Sequence, residues 1–313
     1  MDNVLSWQGL PYYPINQLYK KVYGEKVYKI PVSMAQTCPN REGLKGMKLC
    51  VFCDHWGSAA FPENRQLSLK EQVIKNKQTV RIRNKVNQFL IYFQSYTNTF
   101  QKVSQLRSQI LEALNFDDVV GIVVGTRPDC ISESVFKLWN EIAETKSVYV
   151  EIGVQSLNEQ DLKWMERGHS GDKSIWAIKK IKEKCPKIKI GVHLIFGMPN
   201  ETEEEVIQTA KIFSELGVND VKLHNLHVLK GTPLEEIYNQ GNFEPISMED
   251  YAKKATLFLQ HLDPNIAVHR LSAVASRHEE LVAPKWTARK MYNYQYFIDH
   301  MRDQGIYQGQ FFS

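Results

Sequence analysis

Between Thr37 and Gly57 the chain reads TCPNREGLKGMKLCVFCDHWG, and three of its five cysteines, Cys38, Cys50 and Cys53, fall inside it. The spacing is C-x11-C-x2-C in a polar loop rich in glycine and lysine. Thiolates are soft ligands suited to zinc or to iron–sulfur clusters, and three readings are open. With His55 two residues beyond Cys53, the set makes a Cys3His zinc site. Unligated, the thiols are core residues that pack like small apolar groups. Bound to a [4Fe–4S] cluster, which normally takes four cysteines, they leave one iron open. A ligand with adjacent amine and carboxylate groups chelates such an iron, and the methionine end of S-adenosylmethionine (SAM) is one. Reductive cleavage of the sulfonium C–S bond then releases a 5′-deoxyadenosyl radical, chemistry that the protein orients rather than performs. On that reading Phe52, just before the last cysteine, is placed to pack against adenine.

Other residues carry chemistry at the ends of apolar runs. TRPDC (126–130) brings Arg127, Asp129 and Cys130 together, either as a structural ion pair beside a packed thiol or as substrate-handling groups. YTNT (96–99) is a polar turn that caps a helix or offers Tyr96, Thr97, Asn98 and Thr99 to a ligand. Glu151 and Gln155 interrupt an apolar strand, where polar groups are costly to bury unless paired. Arg167 in ERGH either pairs with Glu166 or supplies a bidentate fork to a carboxylate. His193, His224 and His227 have no metal-ligand spacing, and Cys185 reads as irrelevant.

The elements that must position these residues alternate. Short β-rich runs lie at 27–32, 88–93, 119–125, 147–154, 188–197 and 220–229, with a further strand expected within 266–274. Amphipathic helical segments lie at 68–85, 103–114, 131–144, 172–185, 202–217, 248–262 and 286–304. Ser68 with Glu71 and Thr202 with Glu205 form capping-box patterns, and Gly217 ends the helix that Thr202 opens. Runs apolar almost throughout, separated by helices, predict βαβ units with a parallel sheet buried on both faces. Both a doubly wound sheet and a barrel fit that rhythm; about six units suit a partial (β/α) barrel. The cysteine loop follows the first strand, at the carboxyl edge where such folds build their sites.

With these motifs in order, the chain resembles radical SAM enzymes of the YhcC type, related to the catalytic subunit of Elongator. The resemblance runs from about residue 20 to about residue 290 on CPNREG (38–43), CVFC (50–53), YTNT, GTRPDC (125–130), EIGVQS (151–156), ERGH (166–169), FGMP (196–199), LHVLKGT (226–232), HRL (269–271) and APKW (283–286). It departs at Met47, Lys48 and Leu49, where small glycines are expected. The resemblance implies a partial (β/α)6 TIM-like barrel with short N- and C-terminal extensions: residues 1–26, a barrel over 27–270, and a helical extension over 271–313. It implies a [4Fe–4S] cluster on Cys38, Cys50 and Cys53. It further implies SAM contacts from Phe52, Tyr96, Thr97, Asn98, Thr99, Glu151, Gln155, Arg167, Gly197, Leu226 and His227, with Arg127, Asp129 and Cys130 as catalytic candidates. The implied partners are SAM, an external electron donor of the flavodoxin or ferredoxin type, and tRNA modified at its wobble uridine. A small metabolite or a peptide is the alternative substrate, and a zinc-bearing RNA-binding protein the non-enzymatic rival.

Bulk properties agree. Apolar content of 43% with 24% charged residues fits a folded globular chain, and no apolar run approaches the ~20 residues of a membrane span. The N-terminus lacks the pattern of a signal peptide, and an odd number of scattered cysteines is not a disulfide framework, so the expected compartment is the cytoplasm. Two basic runs, 70–85 and 179–189, would serve a polyanion only if they share a face.

Overall fold

A computed structural model describes residues 7–57, 59–275 and 277–312. The first six residues of the N-terminal extension and Ser313 of the C-terminal one lie outside the described residues. Seven parallel strands, β1 (Val27–Val32), β2 (Gln88–Phe93), β3 (Val119–Thr126), β4 (Ser147–Gln155), β5 (Lys189–Phe196), β6 (Asp220–Asn225) and β8 (Ala267–Val268), form one sheet in that order. The sheet curls into a half-barrel, so the partial-barrel expectation holds and the segment 266–274 supplies the seventh strand, two residues long.

Helices cover the convex face: α2 (Leu69–Asn84), α3 (Val103–Leu114), α4 (Glu133–Ala143), α6 (Gly171–Lys184), α7 (Glu203–Leu216), α9 (Met248–His261) and α10 (Lys290–Asp303). Both predicted capping boxes form, on Ser68 with Glu71 and on Thr202 with Glu205, and Gly217 closes α7 in the left-handed conformation. Alternate strand residues such as Ile30, Ile91, Val124, Val150 and Leu194 face these helices and are buried with Trp139 and Phe213. Each such side chain contributes about 1.5–3 kcal/mol. The opposite positions face the lumen.

Two segments depart from the sequence expectation. The run 220–229 is not one strand: β6 stops at Asn225, level with the end of β5. With no ladder beyond it, Val228–Leu229 (β7) pairs instead with Leu281–Ala283 (β9) in an antiparallel ribbon over the cavity. The last helix starts at Lys290 rather than 286 because Lys285–Ala288 forms a separate 3-10 turn.

The open side of the half-barrel, between β1 and β8, is closed by α1 (Ile15–Tyr23), which touches both strands. Tyr19 of α1 packs edge-on against Tyr149 at 5.7 Å, and Val268 donates its amide to Tyr13 at 2.7 Å. Gln308 ties the two ends of the chain: its amide reaches Pro11 O, its side-chain oxygen takes the Tyr13 amide, and its Nε2 reaches Asp263 O and Ile266 O.

Candidate functional site: three thiols over a charged lumen

The loop after β1 sits at the carboxyl edge of the sheet, and its shape is set from below. Asn40 donates to Lys48 O (2.6 Å) and Glu166 O (2.7 Å), and its Oδ1 accepts from Arg127. Arg127 is buried, grips Asp129 through two 2.9 Å bonds and donates to Arg167 O at 2.7 Å. It therefore ties the cysteine loop, the end of β3 and the ERGH turn into one unit. Where glycines were expected, Met47 lies over Gly168, and a Cβ there would meet Met47 Sδ at 2.9 Å. Gly168 also has φ +72°, a conformation that side-chain-bearing residues rarely adopt.

Cys38 and Cys50 are buried and Cys53 is half-buried, and all three line one cavity of about 600 Å³. Two guanidinium groups meet the sulfurs: Arg167 Nη1 lies 3.5 Å from Cys50 Sγ and Arg41 Nη2 lies 3.7 Å from Cys53 Sγ. Burial, aided by Cys50, pushes the Cys53 thiol up to about 12 in spite of Arg41. Three soft thiols with cationic donors at the sulfurs fit a polynuclear iron–sulfur cluster, whose thiolates and sulfides carry negative charge. The ring of His55 lies against Trp56, centroids 4.2 Å apart.

The cavity gathers Phe52, Tyr96, Thr97, Arg127, Glu151, Gln155, Arg167, Leu226 and His227 with the cysteines. Tyr96, at φ +53°, is clasped between Arg41 and Arg65 and donates its hydroxyl to His55 O. Arg167 Nη2 donates to Gly153 O at 2.7 Å, while its buried Nε has no partner. Asn98, Thr99, Gly197, Asp129 and Cys130 do not line the cavity. Asn98 Nδ2 instead joins Phe93 O (2.8 Å) to Gly125 O (3.1 Å), and Thr99 meets Thr126. Gly197, at φ +96°, faces Ile246. The Asp129 carboxylate is occupied by Arg127. Burial and then Asp129 push the Cys130 thiol up to about 12, keeping it protonated.

Below the thiols the lumen holds a charged network that the motifs did not reveal. Glu151, 2% exposed, meets Lys29, His193 and Lys222. Burial works against its charge, but Lys222, Lys29 and His193 hold its carboxyl well below the usual range. His269 bonds Asp220 at 2.7 Å, and Arg270 meets His224. Burial lowers Lys222 to about 8 against the pull of Glu151, and lowers His193 and His227 to about 4. The signal was present as single polar residues at lumen-facing positions of apolar strands, Lys29, Tyr92, Glu151, His193, Lys222 and His224.

The basic runs do not share a face. Their helices, α2 and α6, are separated on the convex side by α3 and α4. Lys77 and Arg81 pair with Asp118, Lys180 with Glu183, Lys184 with Glu133 and Lys187 with Glu144. No helix among the described residues is long and apolar enough to cross a membrane.

Residues 32–213 match the radical SAM superfamily and residues 218–303 the radical SAM C-terminal domain. Protein YhcC of Escherichia coli (strain K12) is 33% identical over 287 residues, 91% of this chain and 90% of that protein. The tRNA uridine(34) acetyltransferase of Methanocaldococcus infernus is 34% identical over 137 residues, 42% of this chain and 24% of that protein. Among solved structures, the archaeal Elp3 of Methanocaldococcus infernus superposes with a TM-score of 0.67 at 18% identity, over 90% of this chain and 64% of its own length. The chain thus belongs to the radical SAM superfamily, in the YhcC-type branch, and is an enzyme of the kind that uses a [4Fe–4S] cluster and SAM.

Proposed function

We propose that this enzyme cleaves SAM reductively and takes a hydrogen atom from a substrate seated in the lumen. The observation that carries the reading is the shared cavity: Cys38, Cys50 and Cys53 stand on the same wall space that opens onto Glu151, His193, Lys222 and Arg270. With an electron from an external donor of the flavodoxin or ferredoxin type, the bound cluster and SAM supply methionine and a 5′-deoxyadenosyl radical, which becomes 5′-deoxyadenosine on taking the hydrogen. The chain's own residues orient and exclude. Cys38, Cys50 and Cys53 hold the cluster, with Arg41 and Arg167 offsetting negative charge at the sulfurs. The unpartnered Nε of Arg167 is available to the SAM carboxylate. Tyr96 and Thr97 flank the methionine end, Gln155 the ribose, and Phe52, Leu226 and His227 the adenine. Asn98, Thr99 and the Arg127–Asp129 pair act at one remove by fixing the loops, and Glu151 shapes the lumen through its lysines. The test is anaerobic: reduced holoenzyme incubated with SAM is expected to yield methionine and 5′-deoxyadenosine in equal amounts. Absence of both from iron-replete enzyme removes the proposal.

The wobble uridine of tRNA is the substrate that the partial match to a tRNA uridine(34) acetyltransferase favours. The two basic helices lend it no support, being apart and largely paired. Nucleoside digests of tRNA from a deletion strain and its parent, compared by mass spectrometry, decide it. An unchanged wobble-uridine profile leaves the radical SAM assignment intact and turns attention to a small molecule or a peptide.

A further inference from the structure

The lumen charges do not balance. Its floor holds three cations, Lys29, Lys222 and Arg270, against two carboxylates, Glu151 and Asp220, while at the same cavity's wall Arg277 is matched by Asp54 and Glu280. The histidines do not alter this count, because burial lowers His193, His224, His227 and His269 and keeps them neutral. Glu151 serves Lys29 and Lys222, and Asp220 serves His269. Arg270 is left over. Its Nη2 lies 2.9 Å from His224 Nδ1, a neutral ring, its Nε has no acceptor, and no carboxylate pairs with it among the described residues. Next to it on the same cavity wall, Asn225 Nδ2 is also buried without a partner. A guanidinium buried without an anion is costly, and its planar fork matches a carboxylate or phosphate with two parallel bonds. Side-chain nitrogens with nothing to bond, gathered on one wall of a built cavity, define a receptor for an oxyanion.

The geometry points to a substrate bearing an acidic group, a carboxylate or a phosphate, received by Arg270 with Asn225 beside it. SAM does not supply that group: its own carboxylate belongs at the cluster, where Arg167 stands against Cys50. A cavity of about 600 Å³ has the size of a small-molecule site. The occupant is a small acid. This inference rests on the radical SAM reading of the cavity and favours a small-molecule substrate over the wobble uridine.

The experiment uses anaerobic holoenzyme with SAM bound and two probes, inorganic phosphate and succinate, titrated calorimetrically. At least one is expected to bind the wild type. Arg270→Gln is expected to weaken that binding by about tenfold or more, and Arg270→Lys to restore part of it, with iron content and SAM affinity unchanged in both. Binding of phosphate alone or of succinate alone supports the proposal and tells a phosphorylated substrate from a carboxylic one. On the wild-type enzyme, labelling of Arg270 by phenylglyoxal, mapped by mass spectrometry, is expected to fall when the anion is present; that measurement decides if Arg270→Gln loses its cluster or fails to fold. Neither anion binding nor protecting the wild type, or equal binding by Arg270→Gln, overturns the proposal. So does loss of SAM affinity in iron-replete Arg270→Gln, which would assign the arginine to SAM. Failure of the radical SAM reading itself looks different: wild-type enzyme would bind no SAM, while anion binding would still be measurable.

Discussion

Glu151→Gln is the substitution from which the structure predicts most. The change keeps shape and removes the one carboxylate shared by Lys29, Lys222 and His193. Lys222 stands at about 8 against an ordinary 10.5. Near neutral pH it is therefore already close to shedding its proton, which limits what Lys222 itself can lose. The remaining cost falls on Lys29, whose ammonium bonds the carboxylate directly, and the total is about 3–5 kcal/mol, as for other buried pairs broken from one side. Urea unfolding of the purified protein, followed by circular dichroism, measures it. The double variant Glu151→Gln with Lys29→Met is expected to recover at least about 2 kcal/mol, because it removes the stranded charge. The variant's stability is also expected to rise with pH above neutrality. A lysine depressed in the fold binds fewer protons than in the unfolded chain, so stability grows as pH climbs toward the unfolded value of 10.5. A Glu151→Gln protein within about 1 kcal/mol of wild type, or a double variant no better than the sum of the singles, would falsify the idea that this network is a coupled buried pair.

Replacing Cys38, Cys50 or Cys53 singly by Ala is expected to abolish cluster iron, while Cys130→Ala, Cys185→Ala and His55→Ala keep it; full iron and sulfide in Cys50→Ala would contradict the ligand set. Arg167→Met should weaken SAM binding in calorimetry while leaving measurable iron, and unchanged affinity would move the carboxylate site elsewhere. His227, lowered to about 4 by burial and then by Arg270, contributes stability that is present above the unfolded value of 6.5 and lost as pH falls toward 4. By linkage this amounts to about 2 kcal/mol at pH 5. The gap between unfolding midpoints at pH 7 and pH 5 should accordingly shrink in His227→Asn, and an identical gap would show that His227 is not held neutral. Arg127→Met should loosen the cysteine loop from the ERGH turn, seen as faster hydrogen exchange at 40–50 and 165–168, whereas a purely catalytic role leaves exchange unchanged.

Much of the scaffold could be read directly. The first two strands begin and end where the apolar runs do, since runs bounded by turn residues leave little latitude. The two capping-box helices, α2 and α7, were found at their starts because the cap is local chemistry. The short helices α5 (Glu159–Trp164) and α8 (Pro233–Asn239) and the N-terminal α1 were not, being too brief or too polar to show periodicity. The cysteine loop was legible for a similar local reason: its three thiols lie within sixteen residues. The charged lumen was not, because Lys29, Glu151, His193, Lys222 and Arg270 come from five separate segments and meet only when the sheet curls. Arg127 and Asp129 were legible as a pair, but the tie of Arg127 to the cysteine loop depends on Asn40, far away in the chain.

The clasp at Gln308 bears on how the polypeptide is made. Ribosomes deliver the N-terminal segment first, at about 5–20 residues per second. Yet Tyr13 and Pro11 meet Gln308 only when it emerges, 295 residues after Tyr13. β8 offers Tyr13 its first partner through the Val268 amide, and Gln308 then locks that closure from the far end. The seam thus joins segments 295 residues apart, one of the longest loops the fold must close.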